Sequence, residues 1–323
     1  MSEITSAFTH ARLSKRYLID GVLVLHTGLH IGTGKVAMHT DSPIIRTAQN
    51  EPYIPGSSLK GALRSTVERL VPSVQALVPL ATSCQLSDQN DTACLTVSQV
   101  LRQTLQQLQE DCDTARRTGT SYTAVATAEQ VAELLQTHVC SAGEAAQPSF
   151  ARNLPYRFIE QHLCDTCKIF GSQWFAAKVR LGDALPHGPW VEMTELRDGV
   201  GIDRDTETAK ARIKFDLEVI PAQTEFSFRL EAENLTTREL GLLCIGIQEL
   251  RAGLVPIGGM SSRGLGSCQL VVTELYDADL NDVTALIQYL TADRDAGRMQ
   301  ARDPETFLRE RIHEMLNDGG NPC

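Results

Sequence analysis

The sequence predicts an α+β protein built on a ferredoxin-like (RRM-type) βαββαβ core that carries large insertions. Alternating or continuous apolar residues indicate four strands, and apolar residues at helical spacing indicate two helices between them. In chain order these elements are strand, helix, strand, strand, helix, strand, which is the split βαβ arrangement. The 323 residues can bury a substantial core, so we treat 1–323 as one domain.

The first half of the core is one strand and one helix. Residues 17–27 are rich in aliphatic side chains with partial alternation, which predicts the first strand. Apolar residues at helical spacing over 59–70 predict the first helix, with Ser57 or Ser58 as its cap and Pro72 at its end.

The second half follows a helical and loop insertion, which we place at 73–162. The predicted elements are a hairpin of two alternating strands at 213–220 and 225–232, a helix at 237–252 and a last strand at 268–276. A C-terminal helical extension covers 277–323. Within it a helix is expected at 304–316, capped by Asp303.

The composition predicts an intracellular, cytoplasmic protein. No apolar run approaches the roughly 18 residues of a membrane-spanning helix, and the first residues lack the basic and apolar regions of a secretory signal. The nine cysteines are odd in number and mostly scattered, which does not suit a secreted disulfide framework.

The net charge of −10 argues against a nucleic-acid binder until it is counted by region. Residues 1–70 carry 8 basic and 5 acidic side chains, whereas residues 216–323 carry 9 and 18. RNA binding needs only a local basic face, and the acidic residues are concentrated elsewhere in the chain. The net charge therefore weakens the hypothesis of RNA binding without excluding it.

The first glycine-rich loop, Gly32-Thr-Gly34-Lys35, is not a nucleotide-binding motif. A P-loop would need glycine at position 29 and Ser or Thr at position 36, and the chain has Leu29 and Val36 there. The looser dinucleotide-binding match would need a helix to begin there, and Pro43 breaks any such helix.

The second glycine-rich loop, 256–266, lies between a predicted helix and a predicted strand. Arg263 could make a bidentate phosphate contact, and the glycines would allow close approach of a ligand or of a neighbouring backbone. A simple tight connection would need fewer glycines. The four are Gly258, Gly259, Gly264 and Gly266.

Two cysteine pairs form a candidate zinc site. Cys164 and Cys167 make a C-x-x-C pair, and Cys84 with Cys94 would complete a tetrahedral set of thiolates that anchors the insertion. A redox pair and simply buried thiols are the alternatives. The possible replacement ligands are Cys112, Cys140 and His162.

Asp41 precedes Ser42-Pro43, in the connection between the first strand and the first helix. Aspartate before Ser-Pro is common in turns, so composition alone favours a structural role over a catalytic one.

Several segments, in this order, resemble the RAMP proteins of CRISPR systems, and most closely the repeating backbone subunit of type III effector complexes. The resemblance covers about two thirds of the chain. The segments are Gly28-Leu-His-Ile-Gly-Thr-Gly-Lys35, Asp41-Ser-Pro-Ile-Ile-Arg46, Tyr53-Ile-Pro-Gly-Ser-Ser-Leu-Lys-Gly-Ala-Leu-Arg64, Cys164-Asp-Thr-Cys-Lys-Ile-Phe-Gly-Ser172, 203–228 and Gly258-Gly-Met-Ser-Ser-Arg-Gly-Leu-Gly266.

The resemblance implies a subunit that binds CRISPR RNA and target RNA and contacts other effector subunits. Neighbouring copies or related subunits would stack with it in a filament, and no membrane is expected as a partner. A thumb-like hairpin, here at about 191–215, would interrupt the pairing of guide and target. The residues expected to contact RNA are Gly32, Gly34, Lys35, Ser58, Lys60, Arg64, Gly258, Gly259, Arg263, Gly264 and Gly266.

The resemblance also implies that Asp41 is the catalytic residue for target-RNA cleavage. That reaction depends on Mg²⁺ or Mn²⁺ and proceeds by attack of a ribose 2′-OH on the adjacent phosphate. Two alternatives stay open: a structural RNA-binding subunit without chemistry, and a guide-processing endoribonuclease that uses His26, His30 or His39 as acid or base.

Overall fold

The computed structural model describes residues 12–34, 41–84, 163–172, 175–190, 193–202, 209–292 and 295–318. The chain divides into two compact units, and each is treated by itself below. The smaller comprises Met1–Ala7 and Ala81–Ala177, and the larger comprises Phe8–Leu80 and Lys178–Cys323. Lys35, His39, Cys94, Cys112, Cys140, His162 and most of the predicted insertion lie outside the described residues.

The described strands form two antiparallel sheets in the larger unit. Five strands pair in the order β2-β5-β1-β6-β7, and β3 pairs with β4 in a separate two-stranded sheet. Their bounds are β1 Lys15–Leu25, β2 Val179–Leu181, β3 Glu195–Ile202, β4 Ala209–Val219, β5 Glu225–Glu233, β6 Cys268–Asp279 and β7 Gln300–Ala301. The described helices are α1 Gly56–Val74, α2 Asp165–Phe170, α3 Thr237–Arg251, α4 Val283–Thr291, α5 Asp295–Arg298 and α6 Pro304–Asp318.

The predicted α+β class is confirmed. Strand β1 lies in the centre of the large sheet, between β5 and β6, and its inward side chains are fully buried at Leu23 and Leu25. Helices α1 and α3 contact each other, and α3 also contacts β6. None of the described helices is long and apolar enough to cross a membrane.

The predicted hairpin of 213–220 with 225–232 is wrong. Strand β5 pairs with β1 and β2, whereas β4 pairs with β3. Alternation shows which side chains face the core, but it does not identify the partner strand. The strand that pairs with β5 on the side away from β1 is β2, Val179–Leu181. It is only three residues long, so it leaves no recognisable pattern in the sequence.

Helix α1 begins and ends differently from the prediction. Pro55 is its N-cap, no serine side chain caps it, and the Gly56 N–H donates to Asp183 Oδ1 at 2.8 Å. The helix also continues through Pro72, since a proline so close to the end removes little of the hydrogen-bond ladder. Helix α6 confirms its prediction: it begins at Pro304, and Asp303 Oδ2 accepts from the Thr306 N–H at 2.8 Å.

A buried ion pair joins the residue before β2 to α3. Lys178 Nζ lies 2.7 Å from Glu239 Oε2, and the two side chains are 1% and 3% exposed. Glu239 also completes the capping box of α3, because its carboxylate accepts from the Thr236 N–H at 2.9 Å.

Candidate functional site

The second glycine-rich loop packs against the backbone of His30, two residues before the first loop. The Gly259 N–H donates to the His30 carbonyl at 2.9 Å. Gly258 has a φ of +80°, and a Cβ there would lie 2.5 Å from the same oxygen. Only glycine permits this approach. Of the two interpretations of loop 256–266, close approach to a neighbouring backbone therefore accounts for Gly258.

The rest of the second loop divides into a packed part and an open part. The Gly266 N–H donates to the Gly28 carbonyl at 2.9 Å, and a Cβ on Gly266 would lie 2.0 Å from the Ile257 oxygen. At Gly264, and at Gly34 in the first loop, an added Cβ would meet nothing within 4 Å. Exposed Arg263, in a short 3₁₀ turn, therefore has open space beside it.

Asp41 is exposed and lies against strand β4. Its Oδ2 accepts from the Asp216 N–H at 3.2 Å. The next residue, Ser42, forms a parallel bridge with Leu217, and its carbonyl accepts from the Glu218 N–H at 3.1 Å. The loop that carries Asp41 is thus attached to β4 through an isolated parallel β-bridge and two backbone hydrogen-bond contacts.

His30 lies beneath this loop and uses both ring nitrogens. Its Nδ1 is 2.7 Å from the Glu218 carbonyl and its Nε2 is 3.2 Å from Ser42 Oγ. Because a carbonyl can only accept, Nδ1 donates to it, and Nε2 lies within hydrogen-bond distance of the Ser42 hydroxyl. His30 is 7% exposed, so this geometry favours a structural role over acid–base chemistry.

The Glu218 carboxylate is the centre of a hydrogen-bond network. Its Oε1 accepts from Arg46 at 2.6 Å and from the Thr194 hydroxyl at 2.7 Å, and its Oε2 accepts from the Ile44 N–H at 2.9 Å. Burial alone would raise the pKa of Glu218, but these hydrogen bonds and the charge of Arg46 outweigh it and hold the pKa below its usual range.

An open pocket lies beside this network, at the start of β3. Arg46 and Thr194 belong to both the pocket and the network. Met193 also lines the pocket, and at 86% it is the most exposed of the large apolar residues among those described. The other lining residues are Gln49, Asn50, Glu51 and Trp190.

The residues of α1 that are predicted to contact RNA differ in their exposure to solvent. Lys60 is half-buried, and burial, together with the nearby charge of Arg64, lowers its pKa. Arg64 is 9% exposed, and its Nε donates to Glu68 Oε1 at 2.7 Å. Ser58 is half-buried, and its N–H donates to the Pro55 carbonyl at 2.9 Å.

In the smaller unit three of the four predicted zinc ligands lie together. The sulfur atoms of Cys84, Cys164 and Cys167 are all within 4.8 Å of one another and could hold a metal ion. Cys164 caps α2, where its Sγ accepts from the Cys167 N–H at 3.4 Å. Cys84 comes into reach because buried Asp165 accepts from the backbone and the hydroxyl of Thr82 at 2.8 and 3.1 Å.

The three thiols also satisfy a chemical test for zinc. Zinc–sulfur bonds of about 2.3 Å in a tetrahedron place sulfur atoms roughly 3.8 Å apart, and the three sulfurs here lie within 4.8 Å of one another. The Cys84 and Cys167 sulfurs are 3.3 Å apart and would separate slightly around an ion. The predicted fourth ligand, Cys94, lies outside the described residues.

Sequence reasoning did not identify Glu218 or Thr194. Glu218 lies in an alternating strand, where an acidic residue normally indicates the solvent side. Its one sequence signal was its place in the segment 203–228, which resembles the RAMP proteins. That the loop at 41–46 packs against this strand could not be predicted from local pattern.

A comparison with family models assigns the chain to a class: the RAMP superfamily model matches residues 22–269, so the chain belongs to that superfamily. Among curated proteins it is similar to the CRISPR system Cms endoribonuclease Csm3 of Methanothermobacter thermautotrophicus, with 48% identity over 61 residues. The protein of that name from Methanocaldococcus jannaschii is 43% identical over 60 residues. Each match spans 18% of this chain and about a quarter of the relative, 25% and 24%. The resemblance seen in the sequence motifs is confirmed.

Proposed function

We propose that this chain is a CRISPR RNA-binding backbone subunit of a type III effector complex, and that the assembled complex cleaves bound target RNA at Asp41. The position of Asp41 carries the proposal. Its exposed carboxylate is held by the Asp216 amide, and the adjacent Ser42 bonds the His30 ring. The backbone of His30 in turn contacts loop 256–266, the expected guide-binding loop.

The chemistry needs a carboxylate that is accessible and fixed. One oxygen of Asp41 accepts from a backbone amide, which restricts the side chain while leaving it exposed. Mg²⁺ is commonly held by one or two carboxylates together with water and phosphate oxygens, and Asp41 offers one such ligand. Asp41 would hold such an ion, and the ion would supply stabilisation of the negative charge on the phosphate.

Two structural assignments belong to this proposal. The sheet order β2-β5-β1-β6, with α1 after its first strand in the chain and α3 after its third, supports a ferredoxin-like core. The β3–β4 hairpin covers most of 191–215 and continues to Val219, which supports its assignment as the thumb that interrupts guide–target pairing.

Guide RNA is expected to accompany the protein through purification. Sequencing the RNA that copurifies with the chain and the products of its neighbouring genes should give discrete guide-sized molecules. The same preparation identifies the other subunits and neighbouring copies that we expect as partners in the cytoplasm. RNA of random size and sequence would contradict the proposal.

Arg263→Ala is expected to weaken guide binding about tenfold, since one charge-assisted contact contributes roughly 1.4 kcal/mol. The loss should not depend on sequence, and the slope of log affinity against log salt should fall by about 1. Fluorescence anisotropy with labelled guide RNA at several salt concentrations measures both. Arg309→Ala, which removes an exposed arginine from α6, is the control. Equal affinities for the two variants would contradict the contact.

The thiol cluster is proposed to be a structural zinc site. Elemental analysis of the purified chain is expected to find about one zinc per molecule, and Cys167→Ser should lose most of it. Cys268→Ser is the matched control, because burial raises the pKa of the Cys268 thiol to about 12 and its Sγ already donates to the Val255 carbonyl. A zinc content near zero in the unsubstituted chain would contradict the site.

A further inference from the structure

We propose that Glu218 is a positioning residue that fixes the Asp41 loop onto the β3–β4 hairpin, so that the hairpin and the candidate cleavage site move as one. The inference rests on the proposed function and adds to it a residue that neither the sequence motifs nor the family assignment identifies. It concerns the placement of Asp41 and gives Glu218 no contact with RNA.

One residue contacts three separate segments. Through its carboxylate Glu218 binds Ile44 and Arg46, which follow Asp41 in the chain, and Thr194, which immediately precedes β3. Through its backbone it donates to the Ser42 carbonyl and accepts from the ring of His30. Glu218 itself belongs to β4, so these contacts join the loop to both ends of the hairpin's base.

The hydrogen-bond network of Glu218 is partly buried, so its contacts are less weakened by solvent than those of an exposed ion pair. The Glu218 and Arg46 side chains are 13% and 23% exposed, whereas exposed ion pairs contribute little. Three donors from two segments bind one carboxylate, and removing it would leave the Ile44 N–H and the Arg46 guanidinium without that acceptor.

The contacts of Glu218 lie close to Asp41 in the chain, so losing them should displace the Asp41 carboxylate. Asp41 is one residue from Ser42 and three from Ile44, and Glu218 holds both. A displacement of about 1 Å in a catalytic group can cost on the order of 10²-fold in rate. Losing Glu218 should therefore slow the cleavage step and leave target affinity nearly unchanged, because the residue holds the loop and not the RNA.

The test compares assembled complexes that carry Glu218→Ala, Glu218→Gln or the control Glu231→Ala. Glu231 lies on β5 and pairs with Arg16 and Arg229, so the control also removes a paired glutamate. Single-turnover cleavage should fall roughly 10- to 100-fold in Glu218→Ala with target affinity within about twofold. Glutamine keeps one oxygen acceptor but places its NH2 group against another donor of the network, so Glu218→Gln should recover only part of the rate. Glu231→Ala should match the unsubstituted complex. Thr194→Val, which removes one donor of the network, should give a smaller loss of the same kind even where Glu218→Ala assembles poorly.

Amide hydrogen exchange separates this inference from the proposed function. In Glu218→Ala, exchange at 42–46 and at 194–197 should rise together, whether or not the complex cuts RNA. Unchanged exchange in both segments, or a loss of cleavage matched by an equal loss of target binding, overturns the positioning role. Raised exchange in a complex whose unsubstituted form binds guide but cuts no target would sustain the positioning role and refute the cleavage.

Discussion

Replacing Asp41 by Ala is expected to reduce target-RNA cleavage by the Mg²⁺-containing complex by at least about 10²-fold, while guide binding is retained. The carboxylate is the exposed acidic group that the Asp41 loop presents, and it lies outside the guide-binding loop, so its loss should affect chemistry alone. Time courses of cleavage with end-labelled target RNA give the rate and the sites of cutting.

Asp303→Asn is the matched control for Asp41→Ala. It removes the same charge from the cap of α6, where asparagine caps a helix as well as aspartate does. Cutting by Asp41→Ala at the same sites and rate would remove the catalytic assignment. An unsubstituted complex that binds guide and never cuts would support the structural subunit. Cleavage of repeat RNA by the isolated chain would support guide processing, although the buried ring of His30 is a poor candidate for it.

Local pattern predicted those elements of the fold whose burial is regular. Strands β1, β5 and β6 and helices α3 and α6 all lie close to their predicted ranges, because each presents a continuous apolar stripe or alternation to the core. Strand β2 was not predicted because three residues carry no period. The partner of β4 was wrong because pairing depends on contacts between distant segments.

The candidate site shows the same division. Asp41 was singled out through the family resemblance and its catalytic role stays a prediction. The C-x-x-C pair was recognised because its motif is short and continuous, and Cys84 does lie beside that pair. Glu218 was missed because its role depends on Ile44 and Arg46, more than 170 residues away in the chain. Hydrogen bonds of that separation leave no spacing in one sequence.

Replacing Lys178 by Met is expected to lower the free energy of unfolding of the larger unit by about 3–5 kcal/mol. The substitution leaves the Glu239 carboxylate, whose side chain is 3% exposed, without its cation, and a buried unpaired charge is strongly unfavourable. Urea unfolding followed by amide exchange in α3 reports this unit separately from the smaller one.

The double variant Lys178→Met/Glu239→Gln distinguishes lost charge pairing from lost packing. Glutamine is neutral and can still accept from the Thr236 N–H, so the capping box of α3 survives while both buried charges disappear. Most of the lost stability should return, because a buried ion pair replaced by neutral groups of similar size costs little. Arg309→Ala breaks an exposed i,i+4 pair and should cost less than about 0.5 kcal/mol. A double variant no more stable than Lys178→Met would show that the loss comes from the lysine's packing, and the unpaired charge would then not be its cause.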